Sequence, residues 1–250
     1  MTKDIQPIID GWEFEPGNVC VRIVRGKDGR EKVQMRIDLG LMQMEMDGRP
    51  DGARPQGSES LLDHLEEKVK GSQGKKQSRE LQLTDDDCAE LLREGLQYYY
   101  RYLSFFHLGR YDLADRDTRR NLRLFAFVRE HAASEEIKWR FDQYRPYVTM
   151  MNTRARATPL YESKHYREAL EIVEQGIKGI LDFLAEHELE EQAEQCIELA
   201  FLKQWKDEID QSRPLDQSEK LRRLLDQAIR SEDYERAAQL RDELRKISPS

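Results

Sequence analysis

The sequence predicts a mainly helical α+β protein: a small N-terminal β-hairpin unit, a linker, an all-α body of helical pairs, and a short C-terminal helical hairpin. Three observations predict it. Val19, Val21 and Ile23 alternate with Cys20 and Arg22, and Val33, Met35, Ile37 and Leu39 alternate with Gln34, Arg36 and Asp38, the period of half-buried strands. From Thr84 to Ser212 apolar residues recur at helical spacing. From Asp216 to Ile247 two shorter amphipathic runs follow, split by Ser231-Glu232-Asp233. The expected boundaries are residues 1–70 for the β-hairpin unit with a short helix, 71–83 for the linker, 84–213 for the helical body and 214–250 for the terminal hairpin.

At the N-terminal end, Gly26-Lys27-Asp28-Gly29 supplies the turn between the strands. The second strand is expected to continue through Leu41 to Met46, with Gly40 as a bulge or bend. A lone hairpin is unstable in water, so this one must pack on the helical part or on a second copy. Residues 48–57 form a turn-rich loop, and Ser58 to Lys70 carries Leu61, Leu62, Leu65 and Val69 on one helical face. Gly71 to Ser78 is basic and small-residue-rich, the composition of a flexible linker.

In the helical body, Thr84 with Asp85, Asp86 and Asp87 is an N-cap cluster beside the positive end of a helix. Leu92, Leu96, Tyr99 and Leu103 make its face, and Gly109-Arg110 ends it. Tyr111 opens the next helix, and Ile137, Phe141 and Tyr144 begin a third that Pro146 kinks or ends. Further helices are expected from about Tyr147, His165 and Glu188. A shape recurs: Gly109-Arg110-Tyr111-x-x-Ala114, Lys164-His165-Tyr166-x-x-Ala169 and Tyr234-x-x-Ala237. Tyr166 and Tyr234 are separated by twice the tetratricopeptide period of about 34 residues, whereas Tyr111 and Tyr166 are not. Leu160 to Leu184 is similar to one tetratricopeptide unit, with Tyr161, Tyr166, Ala169 and Ile177 at packing positions. The Trp-x-x-Leu-Gly opening is missing. The body is therefore expected to be either degenerate tetratricopeptide-like pairs or an irregular bundle.

Composition removes several function classes. The net charge of −8 disfavours direct nucleic-acid binding, which depends on neutralising phosphates. Cys20, Cys88 and Cys196 are widely spaced and odd in number, which argues for a reducing compartment over a disulfide framework. Met1 to Asp10 has no long apolar core, and no stretch approaches a membrane span, so a soluble cytoplasmic protein is expected.

The C-terminal pattern is the most specific. Leu221, Leu224, Leu225, Ala228 and Ile229 fall on one helix face, and Asp216 with Glu219 makes a capping box. Tyr234 opens a second helix with Ala237, Leu240, Leu244 and Ile247 on one side and Ala238 flanking, and Pro249 stops it. The residue order, from Leu221-x-x-Leu224-Leu225 through Glu232-Asp233-Tyr234-Glu235 to Leu240-Arg241-Asp242-x-Leu244, resembles the UVR motif. Bacterial UvrB and UvrC, some Clp-family chaperones and McsA-type adaptors share that motif. The resemblance implies a helical hairpin that binds another hairpin of its kind. The expected partner is a UVR-bearing protein or a second copy of this chain, around DNA repair or protein quality control. Leu221, Leu224, Leu225, Ala228, Ile229, Tyr234, Ala237, Ala238, Leu240 and Leu244 are the expected packing residues, with Arg241 and Asp242 as ion-pair candidates that set register. Leu225→Asp is expected to abolish pairing, because the seam would bury an unpaired charge.

The motif names a mode of association, and the remaining chemistry does not add an activity. No phosphate-binding G-x-x-x-x-G-K-[ST] loop is present, so this is not UvrB itself. The nuclease motif of UvrC and the zinc-binding Cys-x-x-Cys of the McsA-type adaptors are also missing. Met42, Met44 and Met46 read as packing before Cu(I) ligation. Glu162-x-x-His165 lacks the second half of a di-iron motif, and His187-Glu188 lacks the second histidine of a zincin. The row Tyr98-Tyr99-Tyr100-Arg101-Tyr102 with Phe105-Phe106 reads as a helix packed on all sides. No catalytic residue, metal or cofactor is expected. The leading function is a non-enzymatic adaptor. The alternatives are a nucleic-acid-associated regulator using the N-terminal β-hairpin with Arg49 and Arg54, and an enzyme of unknown type.

Overall fold

The computed structural model describes residues 4–72, 82–214 and 217–247. Most of the expected linker, Asp216 of the expected capping box and Pro249 lie outside the described residues. After a single helical turn, α1 (Gln6–Ile9), the chain builds a three-stranded antiparallel sheet of β1 (Val21–Arg25), β2 (Glu31–Ile37) and β3 (Gly40–Glu45), in that order. The β1–β2 turn is the expected one: Gly26 N–H donates to Arg30 O at 2.8 Å, and Gly29 takes a φ of +76° that suits glycine.

The third strand corrects the sequence expectation of one long strand bent at Gly40. Ile37 pairs with Gly40, so Asp38-Leu39 is a two-residue hairpin loop, and Met42 and Met44 return beside Met35 and Val33. The Arg36 guanidinium clamps the turn by donating to Asp38 O at 3.0 Å and Gly40 O at 2.7 Å. Reversal also pairs the edge that an extended strand would have left open. Val33, Met35 and Met44 form the buried core of the sheet. The Arg22 guanidinium lies 3.9 Å over Trp12 and donates to Gln34, which in turn donates to Gln43.

The helices are α2 (Leu61–Ser72), α3 (Asp85–His107), α4 (Tyr111–His131), α5 (Glu135–Asp142), α6 (Arg145–Glu162), α7 (Tyr166–Glu186) and α8 (Ile197–Ser212). Thr84 caps α3 as expected: its hydroxyl accepts from Asp87 N at 3.1 Å while the Asp87 carboxylate accepts from Thr84 N at 3.0 Å. Pro146 starts α6, where its missing N–H costs nothing. Leu62, Leu91, Leu124, Val128 and Phe141 form the main core, contributed by α2 through α5. The expected tetratricopeptide unit, Leu160 to Leu184, holds the last turn of α6, a three-residue connection and most of α7, so it is not itself a helical pair.

Two buried ion pairs cross this core. Arg101 on α3 and Asp117 on α4 are each 1% exposed and joined by two hydrogen bonds of 2.6 and 2.9 Å, and Arg101 also donates to Glu45 O on β3. Glu94 on α3 pairs with Arg120 on α4 and accepts from Leu61 N and Leu62 N, so it caps the start of α2. The chain divides into two compact units between Asp207 and Glu208, which puts the sheet and the helices up to that point in one unit.

Candidate partner-binding hairpin

The second unit carries α9 (Gln217–Arg230) and α10 (Tyr234–Ile247). Their turn closes without glycine. Glu232 adopts a φ of +59°, Glu232 N donates to Ile229 O at 3.1 Å, and Asp233 N donates to Ala228 O at 2.8 Å. That is a Schellman closure, which satisfies the last carbonyls of α9. The Asp233 carboxylate then accepts from Arg236 N at 3.0 Å and caps α10.

The twelve residues expected to bind a partner fall into two sets. Leu221, Ala228, Ala237 and Leu240 are buried in the seam between the two helices, with Leu225 and Leu244 half-buried against them. Leu224, Ile229 and Tyr234 remain 46%, 51% and 70% exposed, and Ala238 is exposed too. Ile229 and Tyr234 sit on either side of the turn, and Leu224 lies five residues before Ile229, about 7.5 Å along α9. Arg241 and Asp242 are exposed neighbours, their Nε and Oδ1 atoms 3.6 Å apart. Half of the sequence-predicted set therefore closes the hairpin on itself, and the rest is presented to solvent.

The other sequence candidates take structural roles. Arg49 is engaged by Asp51 at 3.1 Å and by the buried Glu94 at 3.5 Å, whereas Arg54 is exposed, and both line one cleft with Arg30 and Arg110. Tyr98, Tyr102 and Phe105 are buried. Met44 packs with Val33 and Met35 in the sheet core. His165 contacts Ser163 at 3.0 Å in the α6–α7 turn, and Glu162 contacts the Tyr111 hydroxyl at 3.5 Å. His187 Nε2 lies 2.8 Å from Asp142 Oδ2, a contact across 45 residues that no local motif signals. Asp142, Glu186 and His187 form the one group with metal-ligand geometry among the described residues. Arg145 lies 3.1 Å from Asp142 and 2.5 Å from Glu186, with Arg129 3.2 Å from Glu186. Two guanidinium charges thus neutralise the cluster and oppose a further cation. The same contacts hold Glu186 below the usual carboxylate range, chiefly through its hydrogen bond from Arg145.

No helix among the described residues is long and apolar enough to cross a membrane. A protein-family profile described as the UvrB/uvrC motif matches residues 218–248, which is the α9–α10 hairpin. Neither the curated proteins nor the solved structures give a match to the chain.

Proposed function

We propose that this chain is a non-enzymatic adaptor whose C-terminal hairpin docks on a hairpin of the same kind carried by another protein. One observation carries the reading. The hairpin fills its own seam with Leu221, Ala228, Ala237 and Leu240 and still exposes Leu224, Ile229 and Tyr234. Two helices of 14 residues are marginal on their own, and covering those side chains would stabilise both partners. The match to the UvrB/uvrC motif supports a cognate hairpin as the occupant. The hairpin's eight acids and eight bases leave no bulk field, so paired charges such as Arg241 and Asp242 select the register.

The test is binding between the full chain and a purified protein bearing a UvrB/uvrC motif. Ile229→Glu with Tyr234→Lys is the variant, because both side chains lie outside the hairpin's own seam. Leu225→Asp is less discriminating, since Leu225 is half-buried in that seam and its loss would also unfold the hairpin. The double variant should keep its helicity and lose binding by a factor of roughly 100, two mismatches at an interface core. Binding that survives truncation after Arg213 sinks the proposal. Mass in solution separates the self-paired case: a dimer that becomes a monomer on that truncation makes the second hairpin another copy of this chain.

A further inference from the structure

Independently of the hairpin, the first unit holds a cavity of about 540 Å³ between α3, α4, the α5–α6 junction and α8. That volume lies in the range of small-molecule sites. Its walls are mainly aromatic. Tyr99 meets Tyr102 edge-on, with rings 88° apart and centroids 5.6 Å apart, and Tyr147 is inclined 52° to Tyr99 at 6.1 Å. Phe125, Phe141 and the half-exposed Tyr144 extend the lining. Tyr102 is 1% exposed, yet its hydroxyl makes no hydrogen bond among the described residues.

A single charged group lines the cavity, Glu198 on α8. Its carboxylate is approached by the Cys196 thiol at 3.6 Å and has no cation within salt-bridge distance among the described residues. Burial pushes the Tyr147 hydroxyl up to about 12, with Tyr99 and Glu198 adding to the shift, so that phenol is neutral at physiological pH. Arg154 lies over the rings of Phe106 and Phe201 at 4.4 and 4.9 Å and does not line the cavity. Differently inclined ring faces beside one carboxylate without a salt bridge are complementary to an organic cation.

We propose that this cavity binds an alkylammonium group, contacted by Tyr99 and Tyr147 and countered by Glu198. The group could be carried by a small quaternary amine or by a lysine side chain, and the test distinguishes them. The full chain is titrated calorimetrically with choline, with n-butylammonium and with 3,3-dimethylbutan-1-ol, the uncharged isostere of choline. Amide NMR shifts at Gly95 and Val148 locate the site. One cation should bind roughly tenfold more tightly than the isostere, the scale of a desolvated cation–π contact with its counterion. Glu198→Gln should remove most of that preference while leaving thermal unfolding and isostere binding unchanged. Preference for choline identifies a quaternary amine, and preference for n-butylammonium identifies a lysine-like chain. Binding of both cations no tighter than that of the isostere, a preference that survives Glu198→Gln, or no saturable binding of either cation overturns the assignment.

Discussion

Single residues decide the interior more than their exposure in sequence suggests. Arg101 and Asp117 are both 1% exposed, so removing one leaves the other as a buried charge. Asp117→Ala is expected to cost about 3–5 kcal/mol in urea unfolding. Arg101→Met combined with Asp117→Leu should cost clearly less than the two single changes added, because no charge is then stranded. Gly176→Ala gives a second sign. Alanine is the better helix former, but its Cβ would lie 2.2 Å from Thr153 Oγ1, so the close α6–α7 approach outweighs propensity. A loss of about 1–3 kcal/mol is expected, partly recovered with Thr153→Ala. Asp28 supplies the pH dependence. Hydrogen bonds from the backbone and then the side chain of Arg30 pull its carboxyl from 3.8 to about 2. The folded value lies below the unfolded one, so this contribution to the β1–β2 turn is present above about pH 4 and is lost as pH falls through about 2. Carboxyl NMR titration checks it, and a midpoint near 4 would remove Asp28 from the turn's stability.

The helical turns explain the recurrent Tyr-x-x-Ala shape. Gly109, Lys164 and Glu232 take φ values of +68°, +65° and +59°. Each turn then closes with the same pair of hydrogen bonds, such as His165 N to Leu160 O at 2.8 Å and Lys164 N to Tyr161 O at 3.0 Å. The N–H groups of Ala114, Ala169 and Ala237 donate to Arg110, His165 and Asp233 carbonyls, each at 3.0 Å, and all three alanines are buried. The echo is thus a shared way of reversing a helix, legible because a tight closure needs a small residue one turn into the next helix. It does not require a regular period. Glu232→Gly should stabilise the hairpin by about 1 kcal/mol, since glycine tolerates the left-handed backbone. A thermal melt of the C-terminal unit that stays unchanged or falls would show that Glu232 makes a compensating contact. The Asp38-Leu39 reversal was hidden for the opposite reason: Leu39 is a poor turn residue, and continued alternation reads the same in one strand as in two.

At the scale of the molecule, the sheet and the helices up to Asp207 make one unit, and the α9–α10 hairpin belongs to the other. That division separates two chemistries. The first unit pairs buried charges internally, as at Glu94–Arg120 and Asp142–Arg145, and keeps one aromatic cavity lined by an acid without a salt bridge among the described residues. The second presents apolar side chains at its surface. The two proposals are therefore separable: truncation after Arg213 should abolish docking and leave cation binding at Glu198 unchanged, as read by calorimetry. Loss of both would mean that the first unit depends on the hairpin for its fold.

By itself, the sequence determined the β1–β2 hairpin, the helical character of the body, the Thr84 cap of α3 and the identity of the C-terminal motif. These rest on neighbours within a few residues, where period, cap and turn chemistry act directly. Thr84–Asp87, the β1–β2 turn and the spacing from Leu221 to Leu244 are all of that kind. Only the tertiary structure decided which hairpin residues are spent on its own seam and which remain outward, because that depends on where the second helix lies across the first. It also decided the third strand, the buried Arg101–Asp117 pair and the meeting of Tyr99, Tyr147 and Glu198 around one cavity. The buried pair and the cavity join residues from 16 to about 100 positions apart, and no local periodicity carries information over that distance.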